Sequence, residues 1–444
     1  MPQTAVAPRS ALLRTVIAAL TAVALLALPL ASPSDAQTRP AARVTVAVID
    51  SGINPYHDIF QREQPNVTPD VLAEFGIGPD QTISLTRTGD FDADFANDKP
   101  QFDAIETGKP YWFEGTNVIG ISFDEGTSRK ILPDDAGDTH GFGVSSAVTN
   151  ANSDAIIVFV EGVNEDSEAW AMTHPAVDLI STSYGIPGSP PLPYHVEKGF
   201  TGVVGNGKLH FGAADNSPAV SLTDTTSGPW WSISIAGFAE DTSEGREYLS
   251  GTYPDFVADF TQSLPYCHNC ESGGEEDVSG TSFATPRSAG TMSKIILTAR
   301  QKAGHVGGIS TEGVAQPLMV RSRRSSGLPS NRGISNWQFR RALEEAAYYP
   351  SAEEYELDPF TYPFPPEAPW TVASWGAITP DPEHRIVEEA LAQLGVRGFG
   401  EPTRHKDAGA CTFMTANIEA RMAYWNTNLG SESFGTTQDP YIRC

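Results

Sequence analysis

The chain has 444 residues, 55 Asp and Glu against 29 Lys and Arg, and a formal charge of −26. An acid excess of that size repels nucleic-acid phosphates and anionic membrane surfaces, so neither is expected as a partner. With 40% hydrophobic and 19% charged residues, the composition is that of a globular protein long enough for one large core or two medium ones, which excludes disordered and fibrous classes.

The first element is the N-terminus itself. Arg9 and Arg14 precede a run of 13 apolar or small residues, Val16 to Leu28, which is closed by Pro29 and by polar residues up to Asp35. A positive start, an apolar stretch too short to span a bilayer and the small-x-small sequence Ser34-Asp35-Ala36 predict a secretory signal peptide cut after Ala36. Residues 1–36 are therefore excluded from the fold, and the mature protein is expected to be secreted, with no membrane contact and little chain left for a pro-domain.

Seven β-rich runs follow: VTVAVID (44–50), NVIGISF (117–123), AIIVFVE (155–161), VDLISTSYG (177–185), KLHFGAAD (208–215), WSISIAGF (231–238) and YPDFVADF (253–260). Their hydrophobicity is continuous, not alternating, which predicts strands buried on both faces, as in a parallel sheet covered by helices. Helical patterns lie at 143–151, 165–174, 282–303, 336–349 and 383–395. The expected fold class is α/β: three layers, α/β/α, around a mostly parallel, doubly wound sheet of roughly seven strands. Residues 54–116, rich in Asp, Pro, Gly and aromatics, and residues 304–335, with Arg321, Arg323 and Arg324 among Gly and Ser, read as surface insertions in a domain spanning 37–395.

In such a sheet, catalytic groups gather at the carboxyl ends of the strands. Asp50 ends the run VTVAVID and is followed by Ser51-Gly52, His140 lies in DTHGFGVSSAV, and Ser282 opens the long helix within VSGTSFATPRSAG. Singly, each has a plain structural reading, as turn former, packed polar residue and helix cap. As a set they meet the needs of a serine nucleophile, because an imidazole can take the hydroxyl proton while a carboxylate on its other nitrogen fixes the tautomer.

VAVIDSGI, THGFGVSSA and SGTSFATP together resemble the three signature segments of the subtilase family of serine endopeptidases, and the resemblance runs from about residue 43 to about residue 395. It implies a subtilisin-like fold, Ser282 as nucleophile, His140 as general base then acid, Asp50 as orienter, protein or peptide substrates and no catalytic cofactor. LISTSYG resembles the family's substrate-binding strand, which makes Ser183, Tyr184 and Gly185 candidates for antiparallel pairing with an extended peptide. GAADNS resembles the segment that carries the oxyanion-hole Asn, here Asn216, with Ala213, Ala214 and Asp215 lining the pocket for the residue before the scissile bond (P1). A monomer is expected.

Two departures stand out: Phe142-Gly143 replaces the usual Thr-His after the catalytic His-Gly, and Asp215 replaces a Gly, where a carboxylate would favour Lys or Arg at P1. Two rival functions share these motifs: a non-catalytic peptide-binding relative, and a peptide ligase or maturation protease in which an amine intercepts the acyl-enzyme.

Cys267, Cys270, Cys411 and Cys444 make an even set in a secreted chain, and Cys267–Cys270 with Cys411–Cys444 is the simplest of three pairings. The second pair would staple a small extension, residues 396–444. The run TGDFDADFAND spaces Asp90, Asp92 and Asp94 like the start of a calcium loop, but Phe95 and Gln101 stand where Gly and Glu belong. An acidic surface loop is the preferred reading, and the family resemblance leaves structural calcium open.

Overall fold

The computed structural model describes residues 42–186, 197–199, 202–203, 206–216, 224–238, 254–303, 320–321, 333–348, 374–379 and 385–405. Residues 1–41 (the expected signal peptide among them), Cys411, Cys444, most of 304–335 and residues 406–444 lie outside them. Among the described residues no helix is long and apolar enough to cross a membrane.

The elements up to the sheet's far edge are β1 (Thr45–Asp50), α1 (Pro69–Phe75), β2 (Thr82–Ile83), α2 (Phe91–Asp103), β3 (Pro110–Phe113), β4 (Val118–Ser122), α3 (His140–Ala151), β5 (Ile156–Glu161), α4 (Glu165–Thr173), β6 (Leu179–Thr182), β7 (Leu209–Ala213), β8 (Ile233–Phe238) and β9 (Phe256–Asp259). A hairpin follows, β10 (Gln262–Pro265) with β11 (Glu275–Val278), then α5 (Thr281–Ala303), and later α6 (Asn336–Ala346) and α7 (Ile386–Gln393). Nine strands form one sheet in the order β2-β3-β4-β5-β1-β6-β7-β8-β9, and every pairing is parallel except β3 with β4.

The class is α/β, as the continuous hydrophobic runs predict. Along β1 the burial alternates between two cores: Val46 and Val48 pack with Ala147 and Val148 of α3 and Ala289 and Met292 of α5, while Ala47 and Ile49 pack with Val71 and Phe75 of α1 and Ala171 and Met172 of α4. A sheet with helices on both faces needs strands apolar on both sides. Each large side chain buried this way contributes about 1.5–3 kcal/mol.

The sheet exceeds the expected seven strands by two, β2 and β3, both supplied by residues 54–116. That segment is therefore not a surface appendage throughout, because it also buries Val71, Ile83, Phe91, Phe102 and Phe113. The described parts of 304–335 include a short antiparallel pair, 320–321 with 333–334.

The run at Asp90 corrects the calcium-loop spacing. Asp90 caps α2 by accepting the N–H of Ala93, Asp94 is buried and accepts both the N–H and the hydroxyl of Thr88, and Asp92 faces out. Residues two apart on a helix point to different sides, so the three carboxylates do not converge. No group of three acidic, His or Cys side chains fit for a metal occurs among the described residues.

Candidate active site

The chain order reverses at β1. The β4 and β5 strands lie on one side of it and β6 and its successors on the other, and in doubly wound sheets the carboxyl ends beside such a switch form a crevice. Asp50 is the last residue of β1 and is 5% exposed. Its Oδ1 accepts the Ser51 N–H at 2.8 Å, and Nδ1 of His140, the first residue of α3, stands 3.0 Å from both Oδ1 and Oδ2. A carboxylate on Nδ1 keeps the proton there and turns Nε2 outward as an acceptor.

Burial opposes the charged imidazolium, but the charge and hydrogen bond of Asp50 outweigh it, and the His140 pKa is raised above its ordinary value. The ring lies 5.6 Å from that of Phe283. Phe142 is buried against Phe60, and a side chain at Gly143 would collide with the Tyr266 ring at 2.7 Å. Tyr266 thus occupies the space beside α3 that a side chain at position 143 would need.

Ser282 is the second residue of α5. The first N–H groups of a helix lack internal partners. Here the Thr281 N–H goes to Asn216 Oδ1 at 2.8 Å and those of Phe283 and Ala284 go to the Gly280 carbonyl, so the side-chain cap comes from Asn216 and not from Ser282. The Thr281 hydroxyl also donates to Asn216 Oδ1, at 3.0 Å. With two donors on that oxygen, the N–H₂ is the other hydrogen-bonding group of the Asn216 amide, and the residue is exposed.

Asp50, His140, Ser282 and Asn216 each sit at the carboxyl end of a strand or the start of a helix, but one bond is not made. The Ser282 hydroxyl donates to the Ser183 carbonyl at 3.1 Å, and the Ser183 hydroxyl returns a bond to the Ser282 carbonyl at 2.8 Å. No hydrogen bond joins Ser282 to His140 among the described residues.

The candidate peptide-binding segment is already partly engaged. Tyr184 points its hydroxyl at Glu168, 2.9 Å away, and its carbonyl accepts from the Thr226 hydroxyl at 2.6 Å. Of the pocket candidates, Ala213 is 5% exposed and Ala214 is fully buried in the core. Asp215 has φ 91°, a backbone region that favours Gly, and its Oδ1 accepts the N–H of Asn216 at 2.6 Å, so its carboxylate serves its own turn.

Two neighbours of the site, Glu161 and Asp224, lie outside the sequence expectations, whereas the Cys267–Cys270 pair is as expected. Glu161 pairs in register with Asp50, is buried, and burial pushes its pKa up to about 8, so it adds no full second charge there at neutral pH. Asp224 starts a turn packed on Gly185. The Cys267 and Cys270 turn joins β10 to β11, its Cα atoms 5.9 Å apart, and is tied to the segment after β1 by Asn54, which donates to the Cys270 carbonyl at 2.6 Å. Only Glu161 had a visible sign, an acid ending an otherwise apolar run.

No protein-family model and no curated protein matches the chain. Solved structures do. A cold adapted subtilisin-like serine proteinase aligns over 70% of this chain and 84% of its own, at 17% identity and TM-score 0.38. The prenylagaramide maturation protease PagA aligns over 77% and 92%, at 12% identity and TM-score 0.43. A lanthipeptide protease aligns over 79% and 89%, at 14% identity and TM-score 0.44. The likeness is one of fold.

Proposed function

We propose that this protein is a secreted, subtilisin-like serine endopeptidase that acts through an acyl-enzyme on Ser282. The observation that carries the reading is the two-oxygen contact of Asp50 with His140 Nδ1, 3.0 Å to each oxygen, beside a serine at a helix start. In this scheme the Ser282 hydroxyl turns from the Ser183 carbonyl toward His140, a bond that tightens in many hydrolases only when substrate is present. His140 takes the proton as Oγ attacks the scissile carbonyl, and Asp50 stabilises the imidazolium. The negative charge that develops on the carbonyl oxygen is met by the Asn216 amide and the Ser282 N–H at the positive end of α5. His140 then returns the proton to the leaving amine, and water repeats the sequence to release the acid.

The scheme needs no cofactor, and a monomer suffices for it. The rival readings are a peptide binder that has lost its chemistry, which the Ser282–Ser183 contact favours, and a ligase or maturation protease. Cleavage of a diverse peptide library decides among them. Hydrolysis that disappears in folded Ser282→Ala supports the proposal, binding without cleavage supports the first rival, and products that incorporate an added amine in preference to water support the second.

A further inference from the structure

The turn that begins at Asp224 holds a buried carboxylate with half of its bonding capacity unused. Asp224 is 1% exposed. Its Oδ1 accepts the N–H of Thr226 at 2.9 Å and of Ser227 at 2.8 Å, and the hydroxyls of Thr226 at 3.3 Å and Ser227 at 3.0 Å. Its Oδ2 is buried and has no hydrogen-bond partner among the described residues. The four donors on Oδ1 account for the fold of the turn, and Oδ2 is not needed for it. A buried carboxylate oxygen without donor or cation is unfavourable, so this oxygen calls for a partner.

The position of the oxygen says which partner. A Cβ at Gly185 would lie 2.6 Å from Oδ2, so the lack of a side chain there is what lets the carboxylate come up against the segment after β6. The same turn is tied to that segment by the Thr226 hydroxyl on the Tyr184 carbonyl, 2.6 Å, and by the Ile186 N–H on the Thr225 hydroxyl, 2.9 Å. On its other side the turn packs on β7, where a Cβ at Gly212 would lie 2.9 Å from the Ser227 Cα. These are the two segments that flank Ser282: Ser183 holds its hydroxyl, and β7 leads to Asn216. No ion pair reaches Asp224 among the described residues.

We propose that Asp224 is the specificity carboxylate of this site and that its Oδ2 receives the guanidinium or ammonium group of a substrate side chain, giving preference for Arg or Lys immediately before the scissile bond. The inference rests on the placement of the site at Ser282. It moves the selecting charge from Asp215, whose carboxylate is folded onto Asn216, to Asp224. A cation that pairs with a desolvated carboxylate is favoured over an isosteric apolar group, because the latter leaves the charge buried and alone.

Binding in the Ser282→Ala protein tests this without requiring turnover. Two fluorescent peptides, identical except for Arg or norleucine at the P1 position, are titrated by fluorescence polarisation against Ser282→Ala and against Ser282→Ala with Asp224→Asn. Asn keeps the acceptor that holds the turn and replaces Oδ2 by an N–H₂ group. The expected result is an Arg-over-norleucine preference of about 30-fold or more in Ser282→Ala, which collapses when Asn is added. An equal preference in the two proteins, or tighter binding of norleucine by Ser282→Ala, overturns the proposal. If the Asn variant loses its folded circular-dichroism spectrum, the peptide comparison in Ser282→Ala alone decides by the same criterion. Loss of catalysis by the wild type would count against Ser282 as nucleophile and leave this binding result standing.

Discussion

Acidification should unfold this protein partly through one histidine far from the proposed chemistry. His174 caps the end of α4, with its ring stacked 4.8 Å from that of Phe75 and 4.6 Å from that of Trp170, and its Nδ1 accepts the Ala176 N–H at 3.3 Å. Burial, assisted by the charge of Lys208, lowers its pKa to about 4. An unfolded histidine titrates near 6.5, so as pH falls the unfolded chain takes the proton first. The stability His174 contributes is therefore complete above about pH 6.5 and is lost progressively toward pH 4. A shift of that size is worth about 2.5 kcal/mol between pH 7.5 and 4.5. Urea denaturation at those two pH values, in a Ser282→Ala background to prevent self-digestion, measures it against His174→Phe, which keeps the stack and cannot titrate. The wild-type ring should lose about 2.5 kcal/mol more than the Phe variant over this range. Equal losses in the two proteins would refute the assignment.

Further outcomes follow from other contacts. Arg300 and Asp178 form a fully buried pair at 2.7 and 2.8 Å, and Asp178 also accepts the Thr45 N–H at 3.0 Å; Arg300→Ala should cost about 3–5 kcal/mol in a denaturant melt, by leaving the buried carboxylate without a counter-charge. Asp50→Asn should reduce kcat by about 10⁴-fold, the order known for serine peptidases. It should also lower the His140 pKa, so that the acid limb of the pH–rate profile moves to lower pH. Intact mass of secreted protein, before and after reduction, should give an N-terminus at Gln37 and two disulfides, one of them Cys267–Cys270; four free thiols would contradict the cysteine reading.

The parts of the fold that were legible are those whose signal is local. The seven core strands are uninterrupted apolar runs because both of their faces are covered, and a run of that kind survives in any sequence window. β2 is two residues long, and β3 begins with Pro110 and alternates half-buried with buried positions, so neither carries such a run. Asp90, Asp92 and Asp94 mislead for a physical reason, since the same side chains that ligate calcium in a loop also cap and open helices. Within the site, Asp50, His140 and Ser282 stand in distinctive small-residue settings. The cap of α5 could not be read locally, because Asn216 reaches it from 65 residues away. Asp224 sits in a stretch of ordinary turn composition, and it is set apart only by its buried Oδ2 and its packing against Gly185.

The most direct test of the central claim is covalent labelling of the folded protein by a fluorophosphonate, read by intact mass and peptide mapping. A serine made nucleophilic by His140 and Asp50 reacts with such a reagent, whereas an ordinary helix-capping serine does not. The account predicts one adduct per chain, mapped to Ser282, absent in Ser282→Ala and much slower to form in His140→Ala. A folded wild-type protein that stays unlabelled, or a label that persists in Ser282→Ala, would contradict it.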